Sequence, residues 1–163
     1  MVKHAGGILS DGQTVTTTVV ADFYIDLNAK RDIGEGLENF VNLVQITNPT
    51  TDGNATVSFD IIASDNTAHF TGTGSSTTVL ASSRAYTYVE LRTPLTSGLG
   101  VGLSGPKPVA MEIPPNLHST GFRYISVRYN VTVGTGTLTG STWRAFIGPN
   151  TVGDARKYYP AGW

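Results

Sequence analysis

The feature of this sequence that most limits its fold is a stretch around residue 129 in which apolar and polar residues alternate strictly. Its apolar positions are Ile125, Val127, Tyr129, Val131 and Val133, and the polar positions between them are Ser126, Arg128, Asn130 and Thr132. Successive side chains of a β-strand point to opposite faces of a sheet. The period of two therefore predicts a strand with one buried face and one solvent-facing face.

Shorter segments carry the same signal in weaker form. Residues 57–63 alternate apart from Ile62, and residues 40–47 are apolar on both faces, which is typical of an inner strand. Segments rich in Gly, Pro, Asn, Asp and Ser separate the strands, and nowhere do a dozen residues hold a helical stripe. Further strands are predicted at 13–20, 23–27, 77–80, 86–91, 109–113 and 142–147.

This pattern predicts an all-β fold, an antiparallel two-sheet sandwich, and among sandwiches it favours a jelly roll. The length of 163 residues fits one domain. We assign residues 13–148 to the sandwich. Residues 1–12 and 149–163 lie outside the strand pattern and are predicted to be an N-terminal arm and a C-terminal aromatic arm.

The charge pattern excludes some classes of partner. Charged residues make up only 14% of the chain, and the six basic residues from Lys107 onward lie in separate segments, so the basic footprint of a nucleic-acid-binding protein is missing. No apolar run reaches membrane-spanning length. Gly6 and Gly7 interrupt the region where a signal peptide needs continuous apolar residues, so we expect the chain to remain in the cell that makes it.

No residue pattern predicts a catalytic centre, a cofactor or a metal site. The chain has no Cys, and His4, His69 and His118 are far apart in loops or arms, where solvated histidines are expected. The segment 100–105 reads GVGLSG and matches the dinucleotide-binding fingerprint. However, the prolines that follow it forbid the helix on which a pyrophosphate would sit, so it is predicted to be a loop.

The segment 26–38, DLNAKRDIGEGLE, has the acidic and amide residues of a calcium-binding loop. Lys30 and Arg31 stand where that loop needs an oxygen ligand and a glycine, so two cations would repel the ion. We therefore predict a tight corner at which the chain leaves one sheet for the other. The residues expected to define this turn are Arg31, Asp32, Gly34 and Gly36.

The last eight residues are unusually rich in aromatic and basic side chains. Such aromatic residues are effective anchors, and they could either close the sandwich against its own core or dock on another chain. The candidate partner-binding residues are Arg156, Lys157, Tyr158, Tyr159 and Trp163.

Several segments, in order along the chain, resemble the small cement or decoration proteins of tailed-phage capsids. In that family an Ile-Asp-Leu strand runs into Arg-Asp-Ile-Gly-x-Gly, a central strand carries Ser-Asp, and an Arg-Tyr-Ile strand ends in a Gly-rich hairpin. The matching segments here are FYIDLNAKRDIGEG at 23–36, VSFDIIASDN at 57–66, FRYISVRYNVTVGTGTLTG at 122–140 and WRAFIG at 143–148.

The resemblance implies a jelly-roll protein that binds the major capsid protein on the outer surface of the virion and has no enzymatic activity. It also implies synthesis in the host cytoplasm and a homodimer that straddles capsid symmetry axes, with a trimer as the alternative homo-oligomer. The resemblance departs at the C-terminal arm and at 93–115. The alternative function is a carbohydrate-binding jelly-roll module of a virion, with Tyr86, Tyr88 and Trp143 as sugar platforms.

Overall fold

The computed structural model of the protein describes residues 2–3, 7–27, 40–47, 54–92, 109–114, 121–134 and 141–148. These residues form eleven β-strands, a five-residue α-helix and a 3-10 turn. The strands belong to two sheets, and the predicted all-β class is therefore confirmed.

One sheet contains seven strands: β1 Val2–Lys3, β3 Val19–Val20, β4 Phe23–Asp26, β6 Thr56–Ser64, β7 Thr78–Ser82, β8 Tyr86–Thr87 and β10 Tyr124–Thr132. Its main order is β1-β4-β10-β6-β7, while β3 pairs with β10 and β8 pairs with β6. Antiparallel pairing of β6 with β10 runs over nine residues of each strand and forms the centre of the sheet. Among the described strands, β1 alone pairs in parallel, with β4.

The other sheet contains four antiparallel strands: β2 Ile8–Thr14, β5 Phe40–Thr47, β9 Val109–Glu112 and β11 Thr142–Gly148. Their order across the sheet is β2-β11-β5-β9. The position of β5 inside the sheet, between β11 and β9, agrees with the apolar character of both its faces.

The strand order is that of a jelly roll. Apart from the two-residue strands, eight strands remain, and in chain order they pair first with eighth, second with seventh, third with sixth and fourth with fifth. This is the pairing of one long antiparallel hairpin that has been rolled so that its pairs fall alternately in two sheets. The favoured subclass of sandwich is confirmed.

Aromatic side chains fill the space between the two sheets. Phe59 of β6 lies 5.1 Å from Trp143 of β11 and 5.9 Å from Tyr129 of β10, measured between ring centroids, and both pairs are edge-to-face. All three side chains are fully buried. Burial of about 150–250 Å² by each of them is a major part of the hydrophobic stabilisation of the sandwich.

The predicted N-terminal arm 1–12 is wrong in part, because two strands within it belong to the two sheets. Val2–Lys3 pairs with β4, and the strand β2 already begins at Ile8. Asp11 and Gln13 pair with successive residues of β11, which leaves Gly12 as an extra residue with a φ of +77°. This β-bulge breaks the alternation of buried and exposed residues, and period-two alternation in the sequence therefore does not predict the strand.

The predicted strand at 86–91 is also wrong beyond its first two residues. The chain continues from β8 into the helix α1, Tyr88–Arg92. The Thr87 N–H donates to Glu90 Oε2 at 2.8 Å, and the Glu90 N–H donates to Thr87 Oγ1 at 3.2 Å. These reciprocal bonds form a capping box, which satisfies free N–H groups at the start of a helix and overrides the β-propensity of the segment.

Candidate interaction surface

The outer face of the seven-stranded sheet is not simply solvent-facing as the alternation predicted, because the loop 65–77 folds back over part of it. Phe70 of this loop is 1% exposed and packs against Val20 and Ile62. Ile62 and Ser126, both on the outward side of their strands, are consequently buried. The break in alternation at Ile62 thus marks a second, smaller apolar cluster outside the sandwich.

Two tyrosines border this outer cluster on the side of β4. The Tyr24 ring stacks on Phe70 with centroids 5.9 Å apart and meets Tyr124 edge-to-face at 5.3 Å. The guanidinium carbon of Arg123 lies 5.1 Å from the centroid of the Tyr124 ring, and Arg123 donates two bonds of 2.8 and 2.9 Å to Asp26. Stacking and a bidentate ion pair therefore fix this end of the face.

Two glycines allow the loop to lie against the sheet. Gly72 and Gly74 have φ values of +56° and +63°, which other residues adopt only at a cost in strain. The Val20 N–H donates to the Gly72 carbonyl at 3.1 Å. A Cβ at Gly74 would lie 2.6 Å from Val20 Cγ2, so the contact between loop and sheet requires glycine there.

The start of the loop is ordered by side chains bonded to the backbone. The Asn66 side chain accepts from the Ala68 N–H at 2.9 Å and caps the 3-10 turn, while Ser64 Oγ accepts from the Asn66 N–H at 3.1 Å. His69 Nδ1 lies 2.7 Å from Ser64 Oγ. The predicted solvated His69 is thus half-buried and hydrogen-bonded, and Ser64 serves to shape this turn.

A polar network ties the other side of the loop to the sheet. Asp60 accepts from Ser82 at 2.7 Å, from Asn130 at 2.7 Å and from Arg128 at 2.6 Å. Burial alone would raise the pKa of Asp60, but the bonds from these donors and the charge of Arg128 outweigh it and hold the pKa below its usual value. Arg128 also contacts the Gly74 carbonyl at 3.5 Å, which links the network to the loop.

The sequence family can be assigned. The model of the Bbp16 family matches residues 9–147, which span both sheets of the sandwich. The chain belongs to the Bbp16 family. Curated proteins give no match to it. Within the part of the chain that the structure describes, no three His, Cys, Asp or Glu side chains group as a metal site, and no helix is long and apolar enough to cross a membrane.

The sugar platforms predicted for this Bbp16-family protein are wrong for two of the three aromatic residues. Tyr88 and Trp143 are fully buried, and Trp143 Nε1 donates to Ser141 Oγ at 2.7 Å inside the sandwich. Burial raises the pKa of Tyr88 to about 12. Tyr86 is half-buried, and the guanidinium carbon of Arg84 lies 4.1 Å from its ring centroid. Alternation cannot distinguish a strand's core-facing aromatic from a solvent-facing platform.

The remaining predicted site residues lie outside the described part of the chain and stay predictions. The turn residues Arg31, Asp32, Gly34 and Gly36 fall there, as do the tail residues Arg156, Lys157, Tyr158, Tyr159 and Trp163. So do His4, His118, the segment 100–105 and the C-terminal arm 149–163.

Sequence reasoning missed one surface of this family member, although a signal for it was present. Residues 66–83 are the longest stretch of the sequence without Asp, Glu, Lys or Arg, and they comprise most of the loop 65–77 together with β7. We call the exposed part of this stretch the neutral surface. Its exposed residues are Asn66, Ala68, Thr71, Gly72, Thr73, Ser75, Ser76, Thr78, Val79 and Ser82.

Proposed function

We propose that this Bbp16-family protein is a structural capsid cement or decoration protein. In this proposal it binds the major capsid protein on the outer surface of a phage shell, as a dimer or alternatively a trimer, and stabilises the shell without catalysing a reaction. It is made in the host cytoplasm and resides in the virion. The shell as partner comes from the resemblance of segments such as 23–36 and 57–66 to the decoration proteins of tailed phages.

The observation that carries the proposal is the filled interior of the jelly roll. Some barrels and sandwiches hold a ligand between their strands, but here the space between the sheets is taken by aromatic side chains. Phe59, Tyr88, Tyr129 and Trp143 are each fully buried in one core. A fold of this kind acts through its outer surface, as a protein that clamps neighbouring subunits does.

The direct test is binding to shells that were produced without this protein. Purified protein is mixed with such shells, the shells are sedimented, and the bound protein is measured together with the temperature at which the shells break. We expect saturable binding and more heat-resistant shells. Protein that stays in the supernatant at micromolar concentration would contradict the proposal, and binding to a glycan array instead would support the carbohydrate alternative.

The tail residues 156–163 offer a second test of the same proposal. Three aromatic residues can bury about 150–250 Å² each, so their gross contribution to docking is several kcal/mol before the cost of ordering the arm. Deleting the tail should leave the melting temperature nearly unchanged and weaken shell binding, more so at low salt. A sharp fall in melting temperature with binding retained would mean that the tail closes the protein's own sandwich.

A further inference from the structure

Among the described strands, β7 ends the seven-stranded sheet and pairs on one side only. Its paired neighbour is β6, and no described strand lies on its other side. The Ser83 N–H donates to the Phe59 carbonyl of β6 at 2.8 Å. Because N–H and C=O groups of neighbouring residues in a strand point to opposite sides, those of Ser82 point away from β6.

This edge lacks the charged residues that usually discourage pairing with other chains. Natural edge strands are commonly protected by Lys or other charges, by Pro or by bulges. The stretch 66–83 has neither charges nor Pro, and only one bulge, at Leu80, interrupts the pairing of β7 with β6. Val79 in β7 is 42% exposed, which makes it one of three large apolar side chains so exposed among the described residues.

The surroundings of the edge are held in place before any partner arrives. Phe70 is buried beneath the loop 65–77, the Gly72 carbonyl accepts from Val20, and Arg128 contacts the Gly74 carbonyl. Association therefore requires little ordering of this part of the chain, and ordering is one of the main costs of binding. A preordered strand edge is the feature that β-strand addition uses.

We propose that the outer edge of β7 is a docking edge to which an extended, uncharged segment of a capsid subunit adds as a short further strand. The inference rests on the proposed function. The partner segment is uncharged because the neutral surface offers no countercharge, so a charged strand would lose its hydration without compensation. Docking at this edge is consequently insensitive to salt, in contrast to any contribution from the basic tail.

The test places one charge at this edge and at two matched positions elsewhere. Val79→Lys is compared with Val133→Lys and Ile46→Lys, since the wild-type side chains are 42%, 37% and 49% exposed and the charge change is identical. Each protein is titrated onto shells produced without it. We expect Val79→Lys to weaken binding by about tenfold or more and the two controls to bind within about twofold of wild type.

A second variant guards against a fold defect at Val79. Thr78→Lys introduces the same charge at the neighbouring exposed position, and the melting temperatures of all variants are compared with that of wild type. Loss of binding by Val79→Lys or Thr78→Lys with an unchanged melting temperature supports the docking edge. If both variants are folded and bind shells as tightly as wild type, the docking edge is overturned, while the proposed function remains intact.

Two further outcomes separate this inference from its alternatives. If wild-type protein fails to bind shells, the proposed function and the docking edge fall together. If Val79→Lys binds shells normally but converts a homo-oligomer to monomers in sedimentation velocity, the edge pairs with a second copy of this chain and the inference is overturned. Protein that lacks the tail residues 156–163 should bind shells equally well at low salt and in about 0.5 M salt, where charges more than a few ångströms apart are screened, because the remaining edge is neutral.

Discussion

The two apolar clusters of this protein differ in how their residues are recruited. The inner cluster between the sheets is built from alternate residues of long strands, with Phe59 and Trp143 at its centre. The outer cluster consists of Val20, Ile62 and Phe70, with the two border tyrosines packed against it. The inner cluster defines the jelly roll, whereas the outer one attaches a loop to a sheet that already has its core.

This difference shows that one pair of strands can contribute side chains to two apolar clusters of unequal size, one on each face. Inward residues of β6 and β10 contribute large apolar surfaces to a cluster shared by both sheets. Outward residues contribute mainly polar groups, and Arg128, which donates to Asp60, joins the loop through the Gly74 carbonyl. We expect the inner cluster to control global unfolding and the outer cluster to control local opening of the loop.

The largest effect is expected from the inner cluster. Phe59→Ala should lower the free energy of unfolding by about 3–5 kcal/mol, because it removes a fully buried ring and leaves a cavity against Trp143 and Tyr129. Urea denaturation measures the change, and Phe59→Leu, which retains most of the volume, should cost less. A loss below about 1 kcal/mol would show that the two sheets repack easily.

Phe70→Ala should cost less than the substitution at Phe59, about 3 kcal/mol, which is the low end for such a truncation. The loop 65–77 can collapse toward Val20 and Ile62 and so reduce the cavity. Hydrogen exchange should accelerate at the loop and at β3 while the amides of β6 and β10 stay protected. Equal acceleration throughout both sheets would remove the distinction between the clusters.

Gly74→Ala tests the contact between loop and sheet at a single methyl group. We expect a loss of about 1–3 kcal/mol in unfolding free energy, because the residue has a φ of +63° and a Cβ there would meet Val20 Cγ2 at 2.6 Å. Gly72→Ala is the matched control, since its φ is +56° but no atom lies within 4 Å of its Cβ position. Its cost should be about 1 kcal/mol, from backbone strain alone.

The smallest effect is expected in the acid dependence of stability. The pKa of Asp60 is lower in the folded protein than its ordinary value of 3.8, so its stabilisation is complete above that value and is lost as the pH falls through the folded pKa. As the pH decreases below about 4, the free energy of unfolding of Asp60→Asn should therefore fall less steeply than that of wild type. The difference in slope should be at most about 1.4 kcal/mol per pH unit.

A surface ion pair provides a control for the loss of a carboxylate charge. Asp11 pairs with Arg144, and both side chains are about half exposed. Asp11→Asn should change the free energy of unfolding by less than about 1 kcal/mol at neutral pH. An acid dependence of Asp60→Asn identical to that of wild type would mean that the network on the outer face contributes nothing through the charge of Asp60.

The fold class was predictable because the alternation of apolar and polar residues is a local property, which can be recognised in each strand separately. It identifies β6 and β10 and thereby the sandwich, and the two-sided apolar character of 40–47 identifies an inner strand. Boundaries failed where a local device breaks the period. Gly12 adds a residue to β2, and the capping box of Thr87 and Glu90 starts a helix inside a β-rich segment. The letters T-x-x-E at 87–90 were the available signal.

The candidate surface was less predictable, because its position depends on sheet order. The absence of charge from 66–83 can be read from the sequence, but that β7 ends a sheet follows only from pairings with residues far along the chain. Phe70 lies among Thr and Gly residues, in a segment without a periodic pattern of apolar residues. Its burial is produced by Val20 and Ile62, and the break in alternation at Ile62 was the one local sign.

The place of β11 in its sheet has a consequence for how the chain acquires its structure. This strand lies between β2 and β5 but follows both in synthesis, and Thr14 pairs with Thr142 at the far end of the domain. Until β11 leaves the ribosome, β2 and β5 have no common partner, and their unpaired edges are exposed to aggregation. Closing so long a loop is entropically costly, and folds dominated by such pairings form slowly. We therefore expect folding of the sandwich to await the emergence of β11 from the ribosome, with insertion of β11 as the step that commits the domain to its structure.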